Sequence, residues 1–146
     1  MRPAAVNASV QPILEPYVGR LRRELEAMGY ARDFLIMNGN GGMISASHVT
    51  REAAKTVMSG PASGVMAAAY TGRRAGFANL VTYDMGGTST DVAAILDGRP
   101  QWTTGSTVDG LPLGLPALDI ETVGAGGGSV AYLDAGGALR VGPRSA

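Results

Sequence analysis

Cysteine is absent from the sequence, and histidine occurs once, as His48. The absence of cysteine excludes disulfide bonds, thiol catalysis and a cysteine-based zinc site, and we expect a cytoplasmic protein. A metal centre or a catalytic triad that needs histidine would have to be built around His48. This residue falls in a short polar segment, so we expect it at the surface or at a helix cap.

An excess of charge and long apolar runs are also absent. The chain has 12 basic and 12 acidic residues and a pI near 6.6, a balance that gives no sign of a nucleic acid or an anionic membrane as partner. No apolar run reaches the roughly 18 residues that a membrane-spanning helix needs, and the first residues lack the apolar segment of a signal peptide. We therefore expect neither nucleic acid nor a membrane among the partners.

Glycine, by contrast, is abundant: it supplies 22 of 146 residues, about twice the usual share of roughly 7%. The glycines lie in turns between periodic segments and form no repeat. Taken in order, the segments predict helix, strand, helix, strand, helix and then a run of strands, which is an α/β or α+β pattern. The length is within the range of one domain.

Helical spacing of apolar residues predicts a first helix over residues 13–30, with Pro16 in its first turn or at a kink and Gly29 at its end. A short strand is expected at residues 34–37. The polar segment 45–54 predicts a short helix with a serine near its N-cap.

The middle of the chain continues this pattern. Residues 55–76 predict a strand, a turn and a helix that ends at Gly76. Gly64 belongs to a side of this helix that carries small residues and could lie close to a sheet. Further along, residues 99–108 predict a strand and residues 109–121 a loop with little regular structure.

The most informative stretch is DMGGTSTDV, residues 84–92, which two short apolar runs flank. A glycine-containing turn between such runs is typical of a β-hairpin. A two-residue type II′ turn at Gly87 and Thr88, with glycine supplying the positive φ, would put Asp84 opposite Asp91. Because both faces of the hairpin are mostly apolar, we expect it to be buried on both sides.

Asp84 and Asp91 would then have Cβ atoms about 5 Å apart. Like charges in this position are destabilising unless a metal ion, a shared proton or a polarised water compensates. The alternative is that one aspartate makes an Asx-turn and the other faces solvent. The spacing alone leaves both alternatives open.

The turn between the aspartates has the composition of a phosphate cradle. Gly86 and Gly87 allow successive backbone N–H groups to form an anion-binding nest, and they let a phosphate approach the backbone. Thr88, Ser89 and Thr90 add hydroxyl donors. The chain has no GxxxxGK[ST] motif, which excludes a P-loop, and the strand expected after the turn argues against a dinucleotide-binding fingerprint.

A second glycine-rich stretch, TVGAGGGS at residues 122–129, is the other candidate site. A glycine run before a strand most often forms a bulge or a tight connection. A second loop that contacts phosphate or adenosine is the alternative interpretation.

Four motifs, taken in order along the chain, resemble those of the hydantoinase A/5-oxoprolinase family: NGNGGMISA, TVMSGPASGVMAAA, LVTYDMGGTSTDVA and LDIETVGAGGGSVAYLDAGGALRVGPRSA. The resemblance extends from about Asn7 to the end of the chain. Four motifs in the same order are far more specific than any one of them. The family includes ATP-dependent N-methylhydantoinases, 5-oxoprolinases and acetone carboxylase subunits.

This family is similar to the actin-like ATPase superfamily, in which two ribonuclease H-like lobes face each other across a nucleotide cleft and each carries one β-hairpin phosphate loop. The resemblance therefore implies an α/β fold with part of a ribonuclease H-like lobe, in which helices are followed by the hairpin phosphate loop and further strands. Residues 1–76 would be the end of one lobe with the inter-lobe helices. Residues 77–146 would be the start of the second lobe.

The resemblance also implies roles for individual residues. Asp84 and Asp91 match the aspartates of the superfamily's second phosphate loop in spacing, and they would be catalytic residues that hold Mg²⁺ or its water shell. The residues between them would bind phosphate oxygens: Gly86, Gly87, Thr88, Ser89 and Thr90. The family's glycine loop, which would contact nucleotide or substrate, is matched by Gly124, Ala125, Gly126, Gly127, Gly128 and Ser129. The cofactors implied are ATP and Mg²⁺.

The activity that the resemblance implies is the ATP-dependent opening of a cyclic amide such as 5-oxoproline or a hydantoin. ATP would phosphorylate the amide oxygen, and water would attack the activated carbon. The alternative is a non-catalytic nucleotide-binding or assembly module that acts only with a partner chain. A neighbouring reading frame that encodes the first lobe would favour the enzyme.

Family members are several times longer than this chain and begin with a lobe that carries its own phosphate loop, which no segment before Asp84 resembles. We therefore expect a middle slice of such an enzyme that needs the missing lobe or a partner subunit, and a homo-oligomer is possible. Alone, the chain should not turn over ATP. The strands from residue 79 onward should expose unpaired edges and apolar faces.

Overall fold

The computed structural model describes residues 2–108 and 110–146. The helices are α1 (Arg2–Ala27) and α2 (Ser59–Arg74), with a 3₁₀ segment at Val49–Thr56 between them. The strands are β1 (Leu35–Met37), β2 (Met43–Ser45), β3 (Leu80–Met85), β4 (Thr90–Leu96), β5 (Arg99–Pro100), β6 (Trp102–Thr103), β7 (Thr107–Val108), β8 (Leu111–Pro112), β9 (Ala117–Leu118), β10 (Ile120–Val123), β11 (Ser129–Leu133) and β12 (Leu139–Ser145). Helices thus come first, and a hairpin with further strands follows, which confirms the predicted α/β fold class.

The chain forms two compact units, each built from two stretches of sequence. The first unit contains Met1–Ser63 and Trp102–Leu118, and the second contains Gly64–Gln101 and Asp119–Ala146. The predicted boundary near residue 76 refers to lobes of a longer protein, and it stays a prediction.

In the first unit, α1 packs on the 3₁₀ segment and on the β1–β2 hairpin. Its buried centre is Val18, Ala46 and Val49, and partly buried apolar residues pack around them: Leu14, Phe34, Ile36 and Ile44. Strands β1 and β2 pair antiparallel with Ile36 opposite Ile44. The predicted strand at 34–37 is therefore confirmed.

Helix α1 begins at Arg2, well before its predicted start at residue 13, so Pro16 does not lie in the first turn. The spacing of apolar residues did not predict the first half of α1, because tertiary contacts hold that half in place. One of these is the side chain of Asn7, whose Oδ1 accepts a hydrogen bond from the N–H of Ala54 at 3.0 Å. Gly29 follows the helix with φ of 88°, so the predicted end is confirmed.

The short helix predicted at residues 45–54 is present as the 3₁₀ segment Val49–Thr56. His48 is exposed at its N-cap position and makes no side-chain capping bond. The strand predicted after it, at the start of residues 55–76, is wrong. The Lys55 carbonyl instead accepts the N–H of Gly39, and Met58 adopts a φ of 61° immediately before α2.

The region after the central hairpin also differs from the prediction. Residues 99–108 form three short strands with different partners, since β5 pairs with β4, β6 with β9 and β7 with β8. Residues 109–121 hold β8, β9 and the start of β10 instead of an irregular loop. Within that stretch, Asp109 lies outside the described residues.

In the second unit, β3, β4 and β10 form an antiparallel sheet in the order β10–β4–β3. Strand β5 also pairs with β4. The part of α2 from Gly64 onward covers one face, where Ile95 is fully buried and Leu80 meets the helix at Gly72. The opposite face of β3 is open: Val81 is 73% exposed and Tyr83 is 66% exposed. The prediction of burial on both sides is therefore wrong, because only one face has a helix on it.

Candidate functional site

The register of the β3–β4 hairpin is the one that the sequence predicts. Leu80 lies opposite Ile95, and Asp84 lies opposite Asp91. Residues directly opposite each other in an antiparallel pair point to the same face. Along β3 every second residue shares a face, so Asp84 lies on the face of Leu80, which α2 covers.

The turn at the tip of the hairpin is not of type II′. Gly87 is not among the glycines with left-handed backbone, whereas a type II′ turn needs a positive φ at that position. The turn is closed by the N–H of Gly86, which donates to the Ser89 carbonyl at 2.9 Å. Thr88 is exposed at the tip.

Contacts with a second loop explain this turn conformation. Strand β10 pairs with β4 and leads directly into residues 124–129, which we call the glycine loop. The N–H of Gly127 donates to the Gly86 carbonyl at 2.9 Å, and the N–H of Gly128 donates to the Gly87 carbonyl at 2.8 Å. The backbone of the glycine loop therefore holds the turn from one side.

Two residues of the glycine loop approach the backbone of the turn closely. A Cβ atom at Gly126 would lie 2.6 Å from the Gly86 carbonyl oxygen and 2.8 Å from the Ser89 nitrogen, so a side chain there would collide with the turn. A Cβ atom at Gly128 would lie 3.0 Å from the Gly87 carbonyl oxygen, so a side chain there requires only a small shift of the backbone.

Thr90 joins the two loops through its side chain. It is 3% exposed, and its Oγ1 donates to the Ala125 carbonyl at 2.7 Å. A hydroxyl has one proton to donate, so Thr90 would have to release this bond before it could donate to a phosphate.

The two carboxylates form a row with a third side chain across three neighbouring strands. Asp84 in β3 lies opposite Asp91 in β4, and Asp91 lies opposite Thr122 in β10. Thr122 Oγ1 donates to Asp91 Oδ1 at 2.6 Å. Asp84 is exposed, and a Cβ atom at Gly64 of α2 would be 3.7 Å from Asp84 Oδ2. Of the alternative interpretation, the Asx-turn does not fit, because both aspartates lie in the strand ladder, whereas an aspartate that faces solvent does fit, because Asp84 is exposed.

The sequence predicted Asp84 and Asp91 but missed Thr122 and Gly64 as their neighbours. Thr122 was missed because the start of β10 was assigned to a loop, so nothing connected it to the hairpin. The helix side with small residues was the available signal for Gly64. The prediction that this side lies close to the sheet holds at Gly64 only, because Ala67 and Thr71 are exposed. The buried hydrophobic residues of α2 are instead Ala62, Val65 and Ala69.

The donor set is compatible with Mg²⁺. Within residues 2–108 and 110–146, no group of three or more histidine, cysteine or acidic side chains could hold a metal ion. Mg²⁺ does not require such a group, since it is usually bound by one or two carboxylates together with waters and substrate phosphates. Two carboxylates beside a glycine turn, with glycine instead of a side chain above Asp84, meet that pattern.

The hairpin thus carries two carboxylates opposite each other, with a glycine turn at its tip. The family model described as hydantoinase/oxoprolinase matches residues 1–146. The chain therefore belongs to the hydantoinase/oxoprolinase family. In the part of the chain that the structure describes, no helix is long and apolar enough to cross a membrane.

Relatives of known name cover most of this chain. The caprolactamase subunit alpha of Pseudomonas jessenii is 37% identical over 141 residues, which are 97% of this chain and 20% of that protein. The Arabidopsis thaliana protein 5-oxoprolinase 1 is 36% identical in an alignment 146 positions long, which covers 97% of this chain and 11% of that protein. A nucleotide-free structure of acetone carboxylase, an enzyme of ATP-dependent acetone carboxylation, matches with a TM-score of 0.73 at 36% identity, covering 88% of this chain and 18% of that one. The chain thus spans about a fifth or less of these relatives.

Proposed function

We propose that this chain supplies a Mg²⁺-dependent phosphate-binding loop of an ATP-dependent enzyme that opens cyclic amides. The observation that carries the proposal is the row of Asp84, Asp91 and Thr122 beside the glycine turn. Two like charges held opposite each other on one face are destabilising unless a cation or a proton compensates. A hard cation bound through oxygen, directly or through water, would supply that compensation.

The residues of the turn would take the phosphate oxygens. Gly87, Thr88 and Ser89 lie at the tip of the hairpin between the two carboxylates, where backbone N–H groups and hydroxyls can donate to an anion. Gly86, in the same turn, would also contact the phosphate. Thr90 could donate to the phosphate only after it releases its hydrogen bond to Ala125.

We extend the proposal to the glycine loop, whose glycines fall into an exposed group and a group that packs on the turn. Gly124 and Gly127 are exposed and would contact the nucleotide or the substrate. Gly126 and Gly128 approach the backbone of the turn and would support it.

In the reaction that we propose, the γ-phosphoryl group of ATP passes to the amide oxygen and ADP leaves. Water then attacks the activated carbon, and cleavage of the C–N bond frees the amine and leaves an acyl phosphate. A second water hydrolyses the acyl phosphate to a carboxylate and inorganic phosphate. Bound Mg²⁺ would neutralise charge on the phosphates. The part of this chain is to position the phosphates and to hold the cation near the transferred group.

Cyclic amides are the substrate class that we propose because two of the relatives are named for caprolactam and 5-oxoproline. The same phosphate site would serve a carboxylase such as the acetone carboxylase relative. ADP release that depends on a cyclic amide favours ring opening, whereas ADP release that depends on a ketone and bicarbonate favours carboxylation. Because the chain spans only part of these relatives, we propose that it acts in the cytoplasm within a longer polypeptide or beside a partner subunit.

The test is calorimetric titration of the full-length protein with Mg²⁺-ATP. Asp84→Asn and Asp91→Asn should each weaken binding by about 1–3 kcal/mol, the scale of a lost charged hydrogen-bonding partner. The thermal stability of the ligand-free protein should change little or rise, because the like-charge repulsion is relieved. Asp119→Asn removes an exposed aspartate of the same unit and should leave binding unchanged.

Unchanged binding in both hairpin variants would contradict the metal and phosphate site, and it would favour the non-catalytic assembly module. Residues 1–146 alone should show no substrate-dependent release of ADP. Such release from the purified chain, abolished by Asp84→Asn, would show that the chain needs no partner.

A further inference from the structure

Asp91 is the middle residue of the three-strand row and has a different neighbour on each side. On the β3 side lies the like-charged Asp84, and on the β10 side lies Thr122. The 2.6 Å separation between Thr122 Oγ1 and Asp91 Oδ1 is typical of a charge-assisted O–H to carboxylate hydrogen bond. Thr122 has a single hydroxyl proton, so this bond uses all of its donor capacity.

This bond restricts how the carboxylate can rotate. A carboxylate group is planar, and its rotation about the last side-chain bond is broad unless a partner fixes it. With Oδ1 engaged on the side of β10, Oδ2 is left for another ligand. The partner is also well anchored, because Thr122 is a strand residue whose backbone pairs with that of Asp91.

We propose that Thr122 is a positioning residue that orients the Asp91 carboxylate toward the metal ion. This inference rests on the proposed function, and it assigns a role to a residue of β10 that precedes the glycine loop. Replacing a group that orients a metal-binding carboxylate through a hydrogen bond typically lowers metal affinity by about 10- to 100-fold. The competing explanation is that Thr122 only stabilises the pairing of β10 with β4.

Two substitutions of Thr122 separate these roles in the full-length protein. Thr122→Val removes the hydroxyl but keeps the shape and the strand preference, and Thr122→Ser keeps the hydroxyl. Each variant, with Asp91→Asn for comparison, is titrated with Mg²⁺-ATP and with ATP in the presence of a chelator. Melting of the ligand-free proteins reports whether β10 remains in place.

We expect Thr122→Val to weaken binding of Mg²⁺-ATP by about tenfold or more, with metal-free ATP binding and melting unchanged. Thr122→Ser should restore the affinity of the wild type. If Thr122→Val binds Mg²⁺-ATP like the wild type while Asp91→Asn does not, the positioning role is wrong and the proposed function stands. If Asp91→Asn also binds normally, the proposed function itself fails. Equal loss of metal-free binding, a lower melting temperature, or failure of serine to restore affinity would assign Thr122 a structural role instead.

Discussion

The two aspartates of the hairpin lie opposite each other, but their surroundings differ. Asp91 accepts a hydrogen bond from Thr122, whereas Asp84 is exposed and has Gly64 of α2, which carries no side chain, as a neighbour. One carboxylate is therefore oriented by a neighbour, and the other has room beside it for a cation or water. The freedom of each carboxylate therefore depends on the residue that the neighbouring strand or helix places beside it.

Gly126 is the residue at which backbone packing can be tested directly. Gly126→Ala should destabilise the chain by about 1–3 kcal/mol, because the new Cβ atom would collide with the backbone of the turn. Gly124→Ala is the matched control, since a Cβ atom at Gly124 meets nothing within 4 Å. Denaturant unfolding of both variants measures the difference, and equal stability would show that the loop can move away from the turn at little cost.

At the scale of helices and strands, the sequence predicted the features that depend on residues close together in the chain. The hairpin register followed from the distance between two apolar runs, and the ends of the helices followed from Gly29 and Gly76. Strand β10 could not be predicted, because its four residues follow a segment rich in proline and glycine and pair with β4 far away in sequence. The contact between the two glycine-rich turns depends on that pairing, so the sequence revealed both loops but not that they touch.

The β11–β12 hairpin contains a polar cluster whose contribution depends on pH. Arg140 Nε lies 2.8 Å from Asp134 Oδ2, and the N–H groups of Ala138 and Gly136 donate to Oδ1 at 3.0 Å. The Arg140 guanidinium first, and these N–H groups after it, hold the pKa of Asp134 below its ordinary 3.8. A lowered pKa in the folded state means that the stabilisation is present above 3.8 and is lost as the pH falls through the lower folded value.

We therefore expect wild type to melt at a higher temperature than Asp134→Asn near neutral pH, with the difference shrinking as the pH drops below 3.8. Ser45, with Ser47 and Arg22, lowers the pKa of Asp33 as well, but this aspartate is present in both proteins and its effect cancels in the difference. Thermal melts over a series of acid buffers measure this. A difference that is independent of pH would show that Asp134 acts through its shape and not its charge.

At the scale of the whole molecule, the exposed side of β3 determines how the isolated chain should behave. β3 is the edge strand of its sheet in the described residues, and Val81, Tyr83 and Met85 are exposed on the face away from α2. An open edge next to an apolar face favours pairing with another chain. This bears out the expectation of unpaired edges and apolar faces for the strands after residue 79.

We expect residues 1–146 in isolation to be poorly soluble or to self-associate, and sedimentation at several concentrations would measure this. Val81→Lys should reduce the association, because a charge on an edge strand opposes pairing with a second chain. Asp119→Lys adds a basic residue at an exposed position next to β10, at the other edge of the sheet from β3, and should not. A sharp monomer at all concentrations, with cooperative melting, would contradict the prediction.

The hydrogen bonds of Gly127 and Gly128 to the turn join main chain to main chain, so apart from the glycine needed at position 126 they depend on the number of residues in each loop. Exchanging the exposed Thr88 for another residue leaves both N–H groups opposite their carbonyls. Inserting or deleting one residue in either loop shifts one partner past the other and breaks both bonds. Variation in the length of these two loops is therefore coupled: a change in one is compatible with the fold only when the other changes with it.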